Sequence, residues 1–459
     1  TKSTGIRSPL QYIGWAPLLF NVLYLPPLFV LLRSRHIPIR ASWMAVWLFY
    51  VSNWVSQDYF SPQAFNFLLY LLLLAVLLTY FGRDPQSARF GNCRPRFLTG
   101  ALGARLVDDR RLDWPAAVRV AALLVIVALY VVMASGHQLT PLLTLASVLI
   151  LTAIGRCSAR TLPLLMSVIL GASLSYLSIT FLAGHMWMIW NGFGGFLGNL
   201  HTDVGSRVQG SVGHVFVLHV RILMSLAIWA LAALGAVRLL RRRSLDLSRS
   251  VLALTPFLFL PLNAYGGEML LRVYLFALPF IVFLAAGLVY PPGNEGRGVR
   301  TAVVSSCMVL ALTAGLLVSR YGNERMNYFA ARDLRAVNWT YRHAPPQSLL
   351  VSANGNLPWR GRHYQNFTYF SLTDLDHWSS LLQVPRKMRV ALAGEMRKNT
   401  FRGSQRAYLI MTPSQEAEFR MFGNSGGQTI HSIETALHKQ RLARLVFSDG
   451  NAKVYRLQL

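Results

Sequence analysis

The sequence predicts a polytopic α-helical membrane protein with a C-terminal exoplasmic α/β domain, and three observations carry that prediction. First, 53% of the 459 residues are hydrophobic and 14% charged, with a mean hydropathy of +0.39, whereas a soluble globular chain carries about 25% charge. Second, apolar runs of the ~17–25 residues that span a hydrocarbon core recur up to about residue 320. Third, from residue 321 onward polar and charged residues are interspersed as in a globular domain. The predicted organisation is a transmembrane domain with short outer loops over 1–320 and an exoplasmic α/β domain over 321–459.

Ten apolar segments read as spans: 11–32, 41–56, 63–81, 114–134, 141–155, 160–183, 216–240, 250–265, 269–290 and 300–319. The segments that join them alternate in composition. One set is arginine-rich: Arg33, Arg35 and Arg40; the 82–113 loop with seven Arg; Arg156 and Arg160; Arg241, Arg242 and Arg243; Arg297 and Arg300. The other set, 57–62, 135–141, 184–215 and 263–268, holds Arg207 as its only basic residue besides His. Positively charged loops stay on the cytoplasmic side. The first set therefore faces the cytoplasm, and the second, with Thr1 and the 321–459 domain, faces outward from the plasma membrane. The formal charge of +27 is then a matter of placement and not a nucleic-acid surface; of 45 Lys+Arg, 5 are Lys, leaving 40 Arg. Cys93, Cys157 and Cys307 lie far apart, the first two in cytoplasmic segments and the third in a span, which gives neither a disulfide framework nor a metal spacing. An outward N-terminus without a signal peptide leads us to expect a span upstream of Thr1.

Within 321–459 the spacing predicts a helix over 331–343, with Leu334, Val337 and Tyr341 on one face, and a strand over 348–353. A helical stretch from Asp374 to about 398, broken near Pro385, and a strand over 407–411 come next. Thr412-Pro413-Ser414-Gln415 reads as a capping box with Pro in the first helical position. After it come a helix near 429–441 and a hairpin over 444–456 that turns at Asp449-Gly450. Alternating strands and helices predict a small α/β domain. Asn338 and Asn366 head glycosylation sequons, which place them at the surface.

Ionisable groups at membrane depth are costly and face cavities, so the polar residues at the outer ends of spans are the functional candidates. Asp58 stands in a short exposed outer turn; a lone Asp there is often a helix cap, but it is also where a catalytic carboxylate or a ligand for a divalent ion such as Mg or Mn would be presented. His137 and Gln138, in a second outer turn with Thr140, are donors suited to a phosphate, against the ordinary expectation of a solvated loop histidine. Glu268 and Arg272 are spaced i, i+4 and can form a structural ion pair, yet they sit at the mouth of a span beside Gly266-Gly267. Arg221, about five residues into its span, either snorkels to the interface or joins Arg207, His214 and Arg272 in a cationic nest. Such a nest suits an anionic lipid headgroup, because a guanidinium grips phosphate bidentately. Trp187, Trp190, Phe193 and Phe196 among the glycines of 184–215 read as interface anchors or an amphipathic helix in the interface plane. No Walker loop, Rossmann fingerprint, HExxH or Gly-x-Ser-x-Gly is present, which leaves ATP-driven transport unsupported.

These residues together resemble the C-type (GT-C) superfamily of membrane glycosyltransferases, in its bacterial branch related to protein O-mannosyltransferases and lipid A aminoarabinose transferases. Gln57-Asp58-Tyr59-Phe60, with the aromatic and leucine-rich 65–72 after it, is similar to that superfamily's second outer-loop acidic motif. Met326 to Phe329, Arg335 to Trp339 and Pro345 to Val351 resemble the entry to its C-terminal domain. The likeness covers most of the chain loosely. It implies transfer of a sugar from a polyprenyl-phosphate donor to a glycan, lipid or protein acceptor on the outer face. The residues fit that chemistry. A polyprenyl phosphate is already a good leaving group, so one carboxylate base suffices where glycosidases use two, and Asp58 and Glu268 are the carboxylates. The developing phosphate charge needs donors and cations, which His137, Gln138, Arg207, Arg221, Arg272 or a metal on Asp58 would supply. The superfamily's acid in its first outer loop has no counterpart here, because the first complete loop, 33–40, is cytoplasmic and acid-free; either that loop lies upstream of Thr1 or the chain lacks this base.

Two other classes remain open at this stage. A lipid-substrate flippase predicts internal repeats and charges near the midplane, neither of which the sequence displays. A noncatalytic scaffold would use 321–459 to bind partners. The assignment of sides has a direct test. An impermeant thiol reagent applied to intact cells is expected to label Ser61→Cys and Gly423→Cys but not Gly91→Cys; the reverse pattern would overturn the topology.

Overall fold

The computed structural model describes residues 10–33, 38–83, 114–177, 208, 210–261, 268–291, 298–359, 364–375, 390–391, 393–394, 406–422, 430–439 and 441–458. Each predicted apolar segment contains one main helix, the first of them preceded by a single helical turn, Leu10–Ile13. In chain order these are α1 Ala16–Leu32, α2 Ile39–Ser52, α3 Pro62–Phe81, α4 Ala116–Gly136, α5 Leu139–Ala153, α6 Leu162–Tyr176, α7 Val212–Arg241, α8 Leu247–Leu254 with its 3-10 continuation Thr255–Phe259, α9 Met269–Val289 and α10 Val299–Tyr321. Proline sets several of the starts. It occupies the first turn of α1, α3 and α6, where its missing N–H is no loss and its fixed φ suits a helix. Ser61 caps α3 by accepting from the Ala64 amide at 3.3 Å.

Among the described residues α3, α4, α7, α9 and α10 are long and apolar enough to cross a membrane. The helices α1, α5, α6 and α8 with its continuation are apolar but shorter, and α2 has 14 residues with Arg40 in its first turn. By length alone, then, the helices give five crossings where the apolar pattern gave ten.

The chain forms two compact units, one within 1–207 and 221–317, the other from 208–220 and 318–459. The first unit is organised around α9. Of the most apolar stretch of α9, 89% is buried, against 22% for α4 and 6% for α10. A helix that is apolar all round belongs in the middle, whereas an outer one turns its apolar side chains to lipid. Helix α7 approaches α9 so closely that a Cβ built on Gly235 would lie 1.9 Å from the Leu284 carbonyl oxygen. Hydrogen bonds between helix ends mark two polar ends of this unit. At one end Arg249, 8% exposed, donates to the carbonyls of Leu31 at 2.7 Å and Arg33 at 2.8 Å, pairs with Asp246 and lies 4.8 Å from the Phe283 ring centroid. Here too the Arg83 amide donates to the Arg156 carbonyl at 3.0 Å. The opposite end carries the candidate site.

The second unit is a five-stranded sheet, built from β1 Leu349–Ser352, β2 Thr368–Ser371, β3 Ala407–Met411, β4 Ala443–Asp449 and β5 Ala452–Leu457, in the order β2-β1-β3-β5-β4. β1 is parallel to β2 and β3, while β5 is antiparallel to β3 and β4. Helices cover both faces. Val337 of α11 Ala331–His343 packs with Leu350, Tyr408, Ile410 and Val454. Phe419 of α12 Pro413–Phe422 and Ile433 and Leu437 of α13 Ile430–Lys439 pack with Leu349, Val351, Leu409 and Tyr455. The helix at 331–343, the strand at 407–411 and the Asp449-Gly450 hairpin match their sequence-based expectations. The capping box forms by half: the Gln415 side chain accepts from the Thr412 amide at 3.0 Å, but the Thr412 hydroxyl turns to Ser414 at 2.9 Å and not to the third helical amide. β2 was not foreseen, because four residues next to a sequon carry too little pattern. Most of the 374–398 stretch lies outside the described residues, as do Cys93 and the aromatic residues of 184–215.

At Gly235, alanine would drive its methyl into a backbone oxygen that cannot rotate away. Gly235→Ala is expected to destabilise the full-length protein by ~1–3 kcal/mol, read as a lower Tm in micelles. Gly171, also mid-helix but with nothing within 4 Å of an added Cβ, is expected to accept alanine with no loss and a gain of up to ~1 kcal/mol.

Candidate functional site

The end opposite Arg249 collects the polar side chains of α1, α3 and α9 and of two turns, 53–61 and 137–138. Turn 53–61 reverses the chain between α2 and α3, and Ser56 adopts φ 57°, a left-handed conformation that a branched residue would resist. Beyond it Gln57 and Asp58 fold back toward the helices while Tyr59 and Phe60 stay 51% and 64% exposed. Asp58 is 2% exposed. This corrects the expectation of a carboxylate in an exposed turn, for Asp58 belongs to the packed end of the bundle. Its Oδ2 accepts from the Asn21 side-chain amide at 2.6 Å. The same amide donates to the Pro17 carbonyl at 2.7 Å, and the Asn21 carbonyl accepts from Tyr50 at 2.5 Å.

Arg272, at the head of the central helix, is 7% exposed. Its Nη2 donates to Glu268 at 2.6 Å and its Nη1 to the Gln57 side-chain carbonyl at 3.2 Å. Glu268 itself is 40% exposed, so the pair has one buried and one wet partner. Two residues on, the Tyr274 hydroxyl donates to the Ser52 carbonyl at 2.8 Å and holds α9 against α2. His137 caps the end of α4. The Thr140 amide can only donate, and it reaches His137 Nδ1 at 3.2 Å; Nδ1 is therefore the acceptor, and the neutral ring carries its proton on Nε2. Burial, and after it the nearby Arg272 guanidinium, push the imidazole down to about 4. His137 is thus a neutral donor and not the cation that the sequence reading included among its charge-neutralising groups. The Arg272 charge is thus felt at His137. Two further side chains close the floor. Gln63 is 3% and Asn66 1% exposed, and neither amide atom of Gln63 has a hydrogen-bond partner. A Cβ on Gly136 would lie 3.0 Å from the Asn66 amide nitrogen, so the end of α4 touches the first turn of α3.

The structure therefore gathers Asp58, His137, Glu268 and Arg272 at one end of one unit. It does not gather the rest. Gln138 is exposed and makes no side-chain cap. Arg221 stands 5.5 Å from the Trp54 ring centroid, while Trp54 bonds Ser225 at 3.1 Å and packs on Tyr274. His214 belongs to the second unit, where it meets Asn323 at 3.0 Å and the Phe422 ring. Arg207, the remaining member of the expected cationic nest, lies outside the described residues. Sequence reasoning missed Asn21, Tyr50, Gln63 and Asn66. Asn21 had a signal, since an amide in the middle of an apolar run needs a partner, but nothing in the sequence named Asp58 as that partner.

Among the described residues no three His, Cys, Asp or Glu side chains converge as a metal site. A Mg-type ion needs only one or two carboxylates when substrate phosphates and water complete its shell, and Asp58 is the residue that would hold it. No family model matches the chain, and no curated protein matches it.

His137 titrates near ~6.5 in an unfolded chain and about 4 in the folded one. Between those values the unfolded state binds more protons, so this contribution is fully present above the window and is lost as pH falls through it. The Tm of the wild type is expected to drop more steeply from pH 6.5 to pH 4 than that of His137→Gln. Parallel curves would remove the buried-neutral assignment.

Proposed function

We propose that the chain is a membrane glycosyltransferase that moves a sugar from a polyprenyl-phosphate donor to an acceptor hydroxyl. One observation carries this reading: Arg272, buried at the head of an otherwise apolar central helix, is held by the half-exposed Glu268 and by Gln57. A guanidinium in that position can exchange a carboxylate for a phosphate without being moved, since both ligands suit its planar fork. When the donor phosphate takes Arg272, Glu268 is released beside it as a free carboxylate. Glu268 then accepts the proton of the acceptor hydroxyl. The hydroxyl oxygen attacks the anomeric carbon, the bond from that carbon to the phosphate oxygen breaks, and the polyprenyl phosphate leaves with the electron pair under the charge of Arg272. His137, neutral with its proton on Nε2, donates to the same phosphate without adding charge. Asp58 acts as a positioning residue: clamped by Asn21, it fixes the turn from which Gln57 reaches Arg272. The acceptor side faces outward in this reading, in keeping with the arginine-poor loops. The flippase alternative has less support, because Asp58, His137 and Arg272 stand at helix ends and not at mid-depth.

The assay is transfer from a radiolabelled polyprenyl-phosphate sugar by the full-length protein in liposomes. Arg272→Lys keeps the charge but not the fork and is expected to lose about tenfold to a hundredfold in rate; Glu268→Gln removes the base and is expected to lose about a hundredfold or more. Asp58→Asn and Asn21→Ala, which disturb the same hydrogen bond, are expected to share one intermediate defect and a stability loss of ~1–3 kcal/mol each. Folded Arg272→Lys and Glu268→Gln variants with wild-type transfer would rule out this site, and the pair would then be structural.

A further inference from the structure

The second unit contains a cavity of about 560 Å³ that the transfer chemistry does not use. It opens where β3 ends and α12 begins, with Thr412 and Ser414 on one side and Asn451 and Lys453 at the start of β5 on the other. Its lining is polar and mixed. Two of its carboxylates are already taken, Glu416 by Arg420 at 3.0 Å and Glu434 by Lys453 at 2.5 Å. Asp333 is 1% exposed; its Oδ2 accepts from the Ala330 amide at 3.1 Å, and the Ser414 hydroxyl and the Arg332 charge act on the same carboxylate. Arg325 and Arg332 also line the cavity, and among the described residues neither has a carboxylate within salt-bridge distance. At the rim stands Tyr328, 70% exposed.

Tyr328 gives this polar pocket an exposed ring face that a ligand's apolar surface can cover. A simple anion would use the guanidiniums but neither the ring nor a wall carboxylate. An apolar peptide would leave the arginines and Asp333 stranded. A sugar ring uses all of them: its C–H face stacks on tyrosine, and its hydroxyls both donate to carboxylate and hydroxyl oxygens and accept from guanidinium N–H groups.

We propose that this cavity is a saccharide-binding site that takes the acceptor glycan, an inference that rests on the transferase reading for the word acceptor but not for the binding itself. The test uses the full-length protein in detergent, without donor, on an array of immobilised neutral and acidic oligosaccharides, and then titrates the best-retained oligosaccharide in solution. Retention of at least one oligosaccharide is expected. Tyr328→Ala should weaken its binding about tenfold or more with an unchanged Tm, as befits an exposed side chain, and Arg332→Ala should weaken it as well. Retention of no oligosaccharide above background, or wild-type affinity in Tyr328→Ala, would overturn the proposal. Because binding is read without transfer, a failed transferase assay leaves this result standing, and a failed array leaves the transferase assay standing.

Discussion

A helix buried on nearly every side can keep charge only where it meets an end of the bundle, and that constraint organises the first unit. From Val273 to Gly287 every residue of α9 is buried and, the Tyr274 hydroxyl apart, none has a polar side chain. Charge therefore collects at the extremities of the bundle, and at each a guanidinium draws the neighbouring turns inward. Arg249 reaches the carbonyls that end α1 and rests against Phe283 of α9. Arg272 reaches turn 53–61 through Gln57. A buried guanidinium is tolerable only when its donors are satisfied, and satisfying them here means fixing the loops. The two ends differ in solvent access. Asp246, the partner of Arg249, is buried with it: burial pushes its carboxyl up, but the Arg249 guanidinium and amide, and then Arg156, outweigh that and hold it below the usual carboxylate range. Glu268, the partner of Arg272, is 40% exposed. The first pair is closed to solvent; in the second one partner is solvent-exposed, which is what the proposed exchange of Glu268 for a phosphate requires.

That contrast is what separates a binding site from a strut. A displaceable carboxylate next to a fixed guanidinium gives an anionic ligand a place to land without reorganising the protein, which is the form of preorganisation that phosphate chemistry rewards. Asn21, Tyr50 and Asp58 contribute by rigidity, as a chain of hydrogen bonds that ties α1 and α2 to the turn holding Gln57.

The sequence made the helices legible because apolar length and proline starts are local properties. It also made Asp58, His137, Glu268 and Arg272 legible as candidates, since each is a costly residue for its depth. Partnership was not legible. The Asn21–Asp58 bond joins residues far apart in the chain, and the charge state of His137 depends on its burial and then on Arg272, more than a hundred positions later; neither leaves a spacing to read. Arg221 and Arg272 were likewise grouped by inferred depth, but depth does not give helix rotation: Arg221 faces Trp54 while Arg272 binds Glu268 and Gln57. In the second unit, β2 escaped notice while β3 did not, because β3 lies buried on both faces and reads as a continuous apolar run.

Helix α10 has few protein neighbours. Only 6% of its most apolar stretch is buried, and Leu310 and Leu317 are 69% and 57% exposed, so its perimeter is completed by whatever surrounds it. In a bilayer, annular lipid would be a structural component at this helix in the way that a partner subunit would be elsewhere. Acyl-chain length and lateral pressure become variables that set its tilt, and delipidation by harsh detergent acts there first, leaving the α9 core and its two guanidinium clamps in place.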